Sequence, residues 1–141
     1  MAKSIQLEVI TPSKLFYKGD VELVIVRTLT GDEGFMANHT WACKLLAAGE
    51  LWIQEAGSKD FKIAALAGGY VDVKDEIVIF ADAAEWPEDI DISRAQMEKH
   101  KAEDWLTHPS QDDSEIARAK IAIAKSLTRM NVGAGGARRK R

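Results

Sequence analysis

Apolar and polar positions alternate at the start of the chain, where Ile5, Leu7 and Val9 interleave with Gln6 and Glu8 before the turn-forming triplet Thr11-Pro12-Ser13. A period of two sends successive side chains to opposite faces, so this segment is predicted to be a strand with one wet face. Val21 to Thr28 is almost continuously apolar from Leu23 to Val26, the pattern of a strand covered on both sides and set in the middle of a sandwich. Further strands are predicted at Leu51 to Glu55, Phe61 to Ala67, Tyr70 to Val73 and Ile77 to Ala81. The turn signals Gly57-Ser58-Lys59, Gly68-Gly69 and Lys74-Asp75-Glu76 separate them. No helical period fits this half, and short strands at such spacing predict an antiparallel all-β sandwich or barrel.

The pattern changes at Trp86-Pro87-Glu88-Asp89, which is taken as a domain boundary. Asp91, or Ser93 with Gln96 three residues on, supplies an N-cap for a helix running to about Leu106. Its apolar stripe of Ile92, Ala95, Ala102 and Leu106 is thin. His108-Pro109-Ser110 stops it, and Asp112-Asp113-Ser114 caps a second helix to about Asn131. Ile116, Ile123, Leu127 and Met130 recur there at helical spacing among alanines. Two helices with a short connection make an antiparallel hairpin. With so few large apolar side chains, the hairpin needs the sandwich, a ligand or a partner to hold it, as a movable element does.

The predicted fold class is therefore mainly β plus α: a β-sandwich over residues 1–87, a helical hairpin over 88–132 and a basic tail, 133–141, read as disordered because it offers no core residue.

Charge adds a polarity to this layout. Residues 1–88 hold 8 Lys/Arg against 14 Asp/Glu, a balance of −6, whereas 89–141 hold 11 against 8, a balance of +3. The helical half is thus suited to an acidic partner or a nucleotide. Cys43, the only cysteine, excludes an internal disulfide, and with three scattered histidines it gives no metal-ligand spacing. There is no phosphate-cradling GxxxxGK[ST], no GxSxG and no acid–base pair at a recognisable spacing, so no catalytic residue is assigned. Neither a signal-like apolar region nor an apolar run of membrane-spanning length is present, and a cytosolic location is expected.

Several local patterns, taken in order, resemble the epsilon subunit family of bacterial and chloroplast F-type ATP synthases. Leu7-Glu8-Val9-Ile10-Thr11-Pro12 is similar to its first strand and turn, and Gly31-Asp32-Glu33-Gly34-Phe35-Met36 with His39 to its glycine-bounded loop. Ala67-Gly68-Gly69-Tyr70-Val71-Asp72-Val73 and Ile77-Val78-Ile79-Phe80-Ala81-Asp82 match its last two strands. Ala37 replaces a usual proline, and Thr40-Trp41-Ala42 departs from the common Ala-Pro-Leu. The resemblance covers nearly the whole chain. It implies a non-catalytic central-stalk subunit, peripheral on the cytoplasmic face of the cell membrane through its complex. The sandwich would grip the gamma subunit and the c-ring through a loop containing Asp32, Glu33 and His39. The helices would inhibit ATP hydrolysis when extended toward the alpha and beta subunits.

Ile90-Asp91-Ile92-Ser93-Arg94-Ala95 matches the I(L)DxxRA pattern that marks ATP binding in some bacterial members. The resemblance carries over Glu85, Ile90, Asp91, Arg94, Lys125 and Arg129 as nucleotide-binding positions, with Lys125 standing where those members have arginine. Lysine keeps the charge and loses the bidentate fork. No cofactor is required on this reading, and ATP enters as a regulatory ligand of the compact hairpin. In the extended state Arg118, Lys120, Lys125 and Arg129 form a basic helix suited to an acidic segment of the beta subunit. The bland alternative for the motif is that Asp91 caps the helix and Arg94 pairs with Glu98 one turn on. A different function class also stays open, a small β-barrel binding nucleic acid with the tail Arg138 to Arg141 as an arm. The acidic sandwich, with aromatics not interleaved with Lys/Arg, argues against it.

Overall fold

The computed structural model describes residues 3–107 and 112–135; the expected helix stop at His108-Pro109-Ser110 and the tail beyond residue 135 lie outside them. Nine strands come first: β1 (Ile5–Ile10), β2 (Leu15–Thr28), β3 (Gly31–Phe35), β4 (Ala42–Leu46), β5 (Gly49–Glu55), β6 (Phe61–Leu66), β7 (Gly69–Val73), β8 (Ile77–Ala81) and β9 (Ala84–Glu85). A single 3-10 turn, Pro87–Asp89, leads into α1 (Ile92–Leu106) and α2 (Asp113–Gly135).

The hydrogen-bonded order is β1-β8-β7-β4-β2-β5-β6-β9, with β3 on β2 and a further β1–β2 pairing, so the sheet wraps back on itself as a sandwich. Fourteen-residue β2 makes the wrapping possible. Its first half pairs with β1, and its second half bonds β5 and β3. The described pairings are antiparallel except β1–β8, which is parallel. The alternation read in β1 is real: Ile5, Leu7 and Val9 are buried, and they join Val24, Val26, Leu51, Val71 and Ile79 in the main core.

Three differences from the sequence expectation have physical reasons. Strand β2 begins at Leu15 rather than Val21, because its first half lies against β1 with only one covered face. Gly31-Asp32-Glu33-Gly34-Phe35, read as a loop, is strand β3, held by the β2 ladder although only Phe35 is fully buried. The loop proper follows it, with Asn38 at φ 67° and the His39 N–H bonded to the Met36 carbonyl. Strand β4 went unread because its large apolar residue Leu45 faces outward while small Ala42 and polar Lys44 face the other way.

At the domain junction, Trp86 stacks on Phe16, with ring centroids 4.5 Å apart, and meets Tyr17 edge-on. The Asp91 side chain accepts the Arg94 N–H at 3.0 Å and so caps α1, in preference to Ser93. Asp112 accepts the Glu115 N–H at 2.8 Å at the start of α2, and that backbone hydrogen bond lowers its carboxyl below the usual range. The apolar face of α2 follows the expected stripe in part, with Ile116, Ile123 and Met130 half-buried. Leu127 is exposed, while Ala119, Ser126, Thr128 and Val132 are buried. The reason is that α2 packs on two surfaces, α1 along one side and the sandwich near its C-terminal end.

That second contact fixes where the hairpin sits. Val132 is fully buried in a cluster with Trp52, Ile63 and Ala65 on the outer face of β5 and β6, with Ile25, Phe61 and Ile90 packed against it. Helix α2 therefore continues past Asn131 through Gly133, whose glycine costs a helix about 1 kcal/mol relative to alanine. A Cβ there would lie 2.9 Å from Ile92 Cγ1, so a side chain at this position would have to displace Ile92. None of the described helices is long and apolar enough to cross a membrane.

Candidate functional site: a charged cleft between hairpin and sandwich

Antiparallel pairing of β6 with β9 sets Glu85 beside Ala65, on the edge that faces α2. With Val132 seated on β5 and β6, Arg129 lies one turn earlier on α2 and reaches that edge. Its Nε donates to Glu85 Oε1 at 2.7 Å and its Nη2 to Oε2 at 3.3 Å, a two-pronged pair joining residues 44 apart in sequence. The remaining Nη1 donates to Glu98 Oε2 at 3.4 Å. Glu98 Oε1 in turn accepts from Arg94 Nε at 3.1 Å. A chain of charge-assisted hydrogen bonds, Glu85–Arg129–Glu98–Arg94, thus links sandwich, α2 and α1.

These residues, with Lys125, ring a cleft of about 350 Å³ floored by residues 65–67, within the size range of small-ligand pockets. Three cations and two carboxylates line it, so the wall is rich in donors that can take anionic oxygens. Four of the six expected nucleotide positions, Glu85, Arg94, Lys125 and Arg129, come together here. Two do not. Ile90 packs into the Trp52–Val132 cluster, and the Asp91 carboxylate is spent on the helix cap. Both interactions of the bland alternative, the Asp91 cap and the Arg94–Glu98 pair, are present. They coexist with the cleft because the cap orients the first turn of α1, and that turn aims Arg94. Among the described residues no cluster of His, Cys, Asp and Glu could hold a metal ion.

Two surface features lie away from the cleft. Asp32 pairs with Arg27 at 3.0 Å, and Glu33 pairs with Lys44, whose hydrogen bond holds the Glu33 carboxyl below the usual range. The His39 and Phe35 rings meet edge to face, and Met36 and Trp41 of the same segment are exposed. On the β4-β7-β8 face, the register places Leu45 beside Tyr70 and Tyr70 beside Phe80. The two rings stack at 4.9 Å while remaining 40% and 38% exposed. Sequence reasoning passed over this apolar row because each member looked like an ordinary strand residue.

Two family models match the chain: residues 4–87 match the ATP synthase delta/epsilon chain beta-sandwich domain, and residues 88–133 match the long alpha-helix domain of the same chain. The chain belongs to the ATP synthase delta/epsilon chain family. Its relatives place it on the epsilon side. It is 41% identical to the ATP synthase epsilon chain of Caldanaerobacter subterraneus subsp. tengcongensis over 134 residues, 94% of this chain and 95% of that one. It is 36% identical to that of Bacillus pumilus over 131 residues, 92% and 97% of the two chains. The fold matches a chain of the Euglena gracilis mitochondrial ATP synthase with a TM-score of 0.76 at 23% identity, covering 89% of this chain and 78% of that one. It also matches a central stalk/c-ring chain of the Tetrahymena thermophila enzyme, with a TM-score of 0.70 at 14% identity, covering 93% and 97%. An epsilon chain is a non-catalytic subunit of the ATP synthase complex, in keeping with a sequence in which no catalytic residue could be assigned.

Proposed function

We propose that this epsilon-family chain is a rotor subunit whose hairpin is a nucleotide-responsive brake on ATP hydrolysis. The observation that carries the reading is the cleft: the Arg94 and Arg129 guanidinium groups converge from two helices on one site, and that site exists only while the hairpin lies on the sandwich. ATP fits its chemistry. Arg94, Arg129 and Lys125 would take phosphate oxygens, and Glu85 would accept from the adenine amino group, with Asp91 and Ile90 fixing the first turn of α1. A ligand that binds only the docked hairpin shifts the equilibrium toward it, by about 2.7 kcal/mol at a hundred times Kd. Burial of Val132 is worth about 2 kcal/mol and a partly exposed ion pair about 1 kcal/mol or less, so the ligand term is of the same order as these two contacts, which undocking would break.

Without ATP, α2 would release Val132 and extend along gamma toward the alpha and beta subunits. Arg118 and Lys120 are already exposed, and Arg129 and Lys125 leave the cleft only then, which would complete the basic face offered to beta. The sandwich would stay on the rotor, with the Leu45–Tyr70–Phe80 row against gamma and the segment of Asp32, Glu33 and His39 toward the c-ring. This puts the chain at the cytoplasmic face of the membrane, peripheral through its partners. The family assignment favours this reading over a nucleic-acid module.

The test is calorimetric titration of the chain with ATP, beside Arg94→Ala and Arg129→Ala. Saturable binding that both variants lose is expected; absence of heat at millimolar ATP would remove the nucleotide from the account and leave a hairpin governed by rotation and partner contacts.

A further inference from the structure

Within the cleft, Glu98 holds a station that the ligand needs. It lies on α1 one turn beyond Arg94, and each of its carboxylate oxygens accepts from a different guanidinium, Oε1 from Arg94 at 3.1 Å and Oε2 from Arg129 at 3.4 Å. Two oxygens of one anion spanning two arginines is the arrangement a phosphate group adopts when it bridges such a pair. Glu85, by contrast, takes its described hydrogen bonds from Arg129, and from the sandwich side, where β9 fixes it. The two carboxylates therefore have different relations to an incoming anion: Glu85 bonds one arginine, whereas Glu98 bonds both.

We propose that Glu98 is a built-in competitor for the phosphate subsite, an affinity-determining residue that sets how much polyphosphate ligand is needed to occupy the cleft. The proposal rests on the reading of this cleft as a nucleotide site. The competition is intramolecular, so Glu98 acts at a fixed effective concentration that a free anion has to outcompete. A phosphate must take both guanidinium groups from it and then bind beside the displaced carboxylate, which repels it. With Glu98 in place both guanidinium groups of the empty site are also paired: the carboxylate ties α1 to α2 without ligand, and ATP exchanges one clasp for another rather than creating one. The exposure of the participants bounds the effect. The Arg94 and Glu98 side chains are 72% and 47% accessible, so the clasp is weak and the expected change is moderate.

The experiment titrates the full chain with ATP and, separately, with inorganic tripolyphosphate, in the original sequence, in Glu98→Gln and Glu98→Ala, and in Glu103→Gln. Glu103 is a second α1 carboxylate, paired with Lys99 and His100 outside the cleft, and its variant makes the same change in net charge. The expected result is that both Glu98 variants bind both ligands roughly three- to fivefold more tightly, as loss of one partly exposed charged competitor implies, while Glu103→Gln stays within about twofold. Equal affinities in the original chain and the Glu98 variants would overturn the proposal and leave the nucleotide site standing, as would an equal gain in Glu103→Gln. A gain seen with tripolyphosphate but no ATP binding anywhere would keep Glu98 as competitor and remove the nucleotide reading. No binding of either ligand to any variant would remove both.

Discussion

Arg129 meets carboxylates that come from two different parts of the chain, and its planar fork is what lets it do so. Lysine at this position would keep the charge but could not hold both oxygens of Glu85 while reaching Glu98. Arg129→Lys is therefore expected to weaken docking of the hairpin by about 1 kcal/mol, read as earlier loss of helical signal in thermal melting while the strand signal is unchanged. Elsewhere the Tyr17 hydroxyl donates to Glu55 at 2.7 Å. Burial, and then the bond to Glu55, push the Tyr17 phenol up, while the same bond holds the Glu55 carboxyl below its ordinary 4.5. A depressed carboxyl contributes stability that is fully present above its unfolded value and lost as pH falls through its folded one. Tyr17→Phe should thus flatten the loss of stability below about pH 4.5, measured by denaturant unfolding at a series of pH values. At this scale the sequence was legible where partners are close along the chain. Asp91 and Arg94 lie three apart and Arg94 and Glu98 four apart, so a helical turn alone brings them together. Glu85 and Arg129 could be joined only through the resemblance, and the second bond of Glu98 depends on a helix crossing that no local spacing encodes.

Helices and strands were legible in proportion to how much their pattern reflects local chemistry. Helix α1 was read to its observed end, and its cap at Asp91 was among those foreseen; Asp91→Ala is expected to cost about 1 kcal/mol of helix stability and to fray the turn that carries Arg94, visible as faster amide exchange at the start of α1. The end of α2 was misread because Gly133 and Gly135 look like a stop signal, and only the burial of Val132 and the tight approach of Gly133 to Ile92 explain why the helix goes on. Docking of that end is specific to an apolar side chain. Val132→Asp is expected to release the hairpin while leaving the sandwich folded, seen as rapid proteolysis confined to residues after Trp86, because a carboxylate cannot be desolvated against Trp52 and Ile63. Strands β3 and β4 escaped detection for the opposite reason: their hydrogen bonds come from the long β2 and from β7, and their side-chain patterns carry almost no alternation.

At the scale of the whole molecule, the sandwich and the hairpin are held differently. The sandwich closes on one large core and presents the exposed row of Leu45, Tyr70 and Phe80 on its outer face. Tyr70→Asp with Phe80→Asp is expected to leave the fold intact and to abolish copurification with gamma, since a charge in the middle of an apolar contact is not compensated. The hairpin, by contrast, rests on the sandwich through a small apolar cluster and a partly exposed ion-pair chain, beyond a linker that the Trp86 stack anchors. That imbalance is what the proposed brake needs: on that reading the sandwich stays fixed and the hairpin changes state at a cost that a millimolar ligand can offset. The most direct test of the account locks the hairpin down. Ala65→Cys and Val132→Cys, two positions of one buried cluster, in a Cys43→Ser background, are chosen to tether α2 to β6 by a disulfide or, failing direct closure, by a short bis-thiol crosslinker cleavable by reduction, and ATP hydrolysis by the assembled enzyme would be compared before and after reduction. Locked enzyme is expected to hydrolyse ATP as fast as enzyme whose epsilon-family subunit lacks residues 88–141, with inhibition returning on reduction at low ATP; a locked enzyme as inhibited as the reduced one would contradict the account.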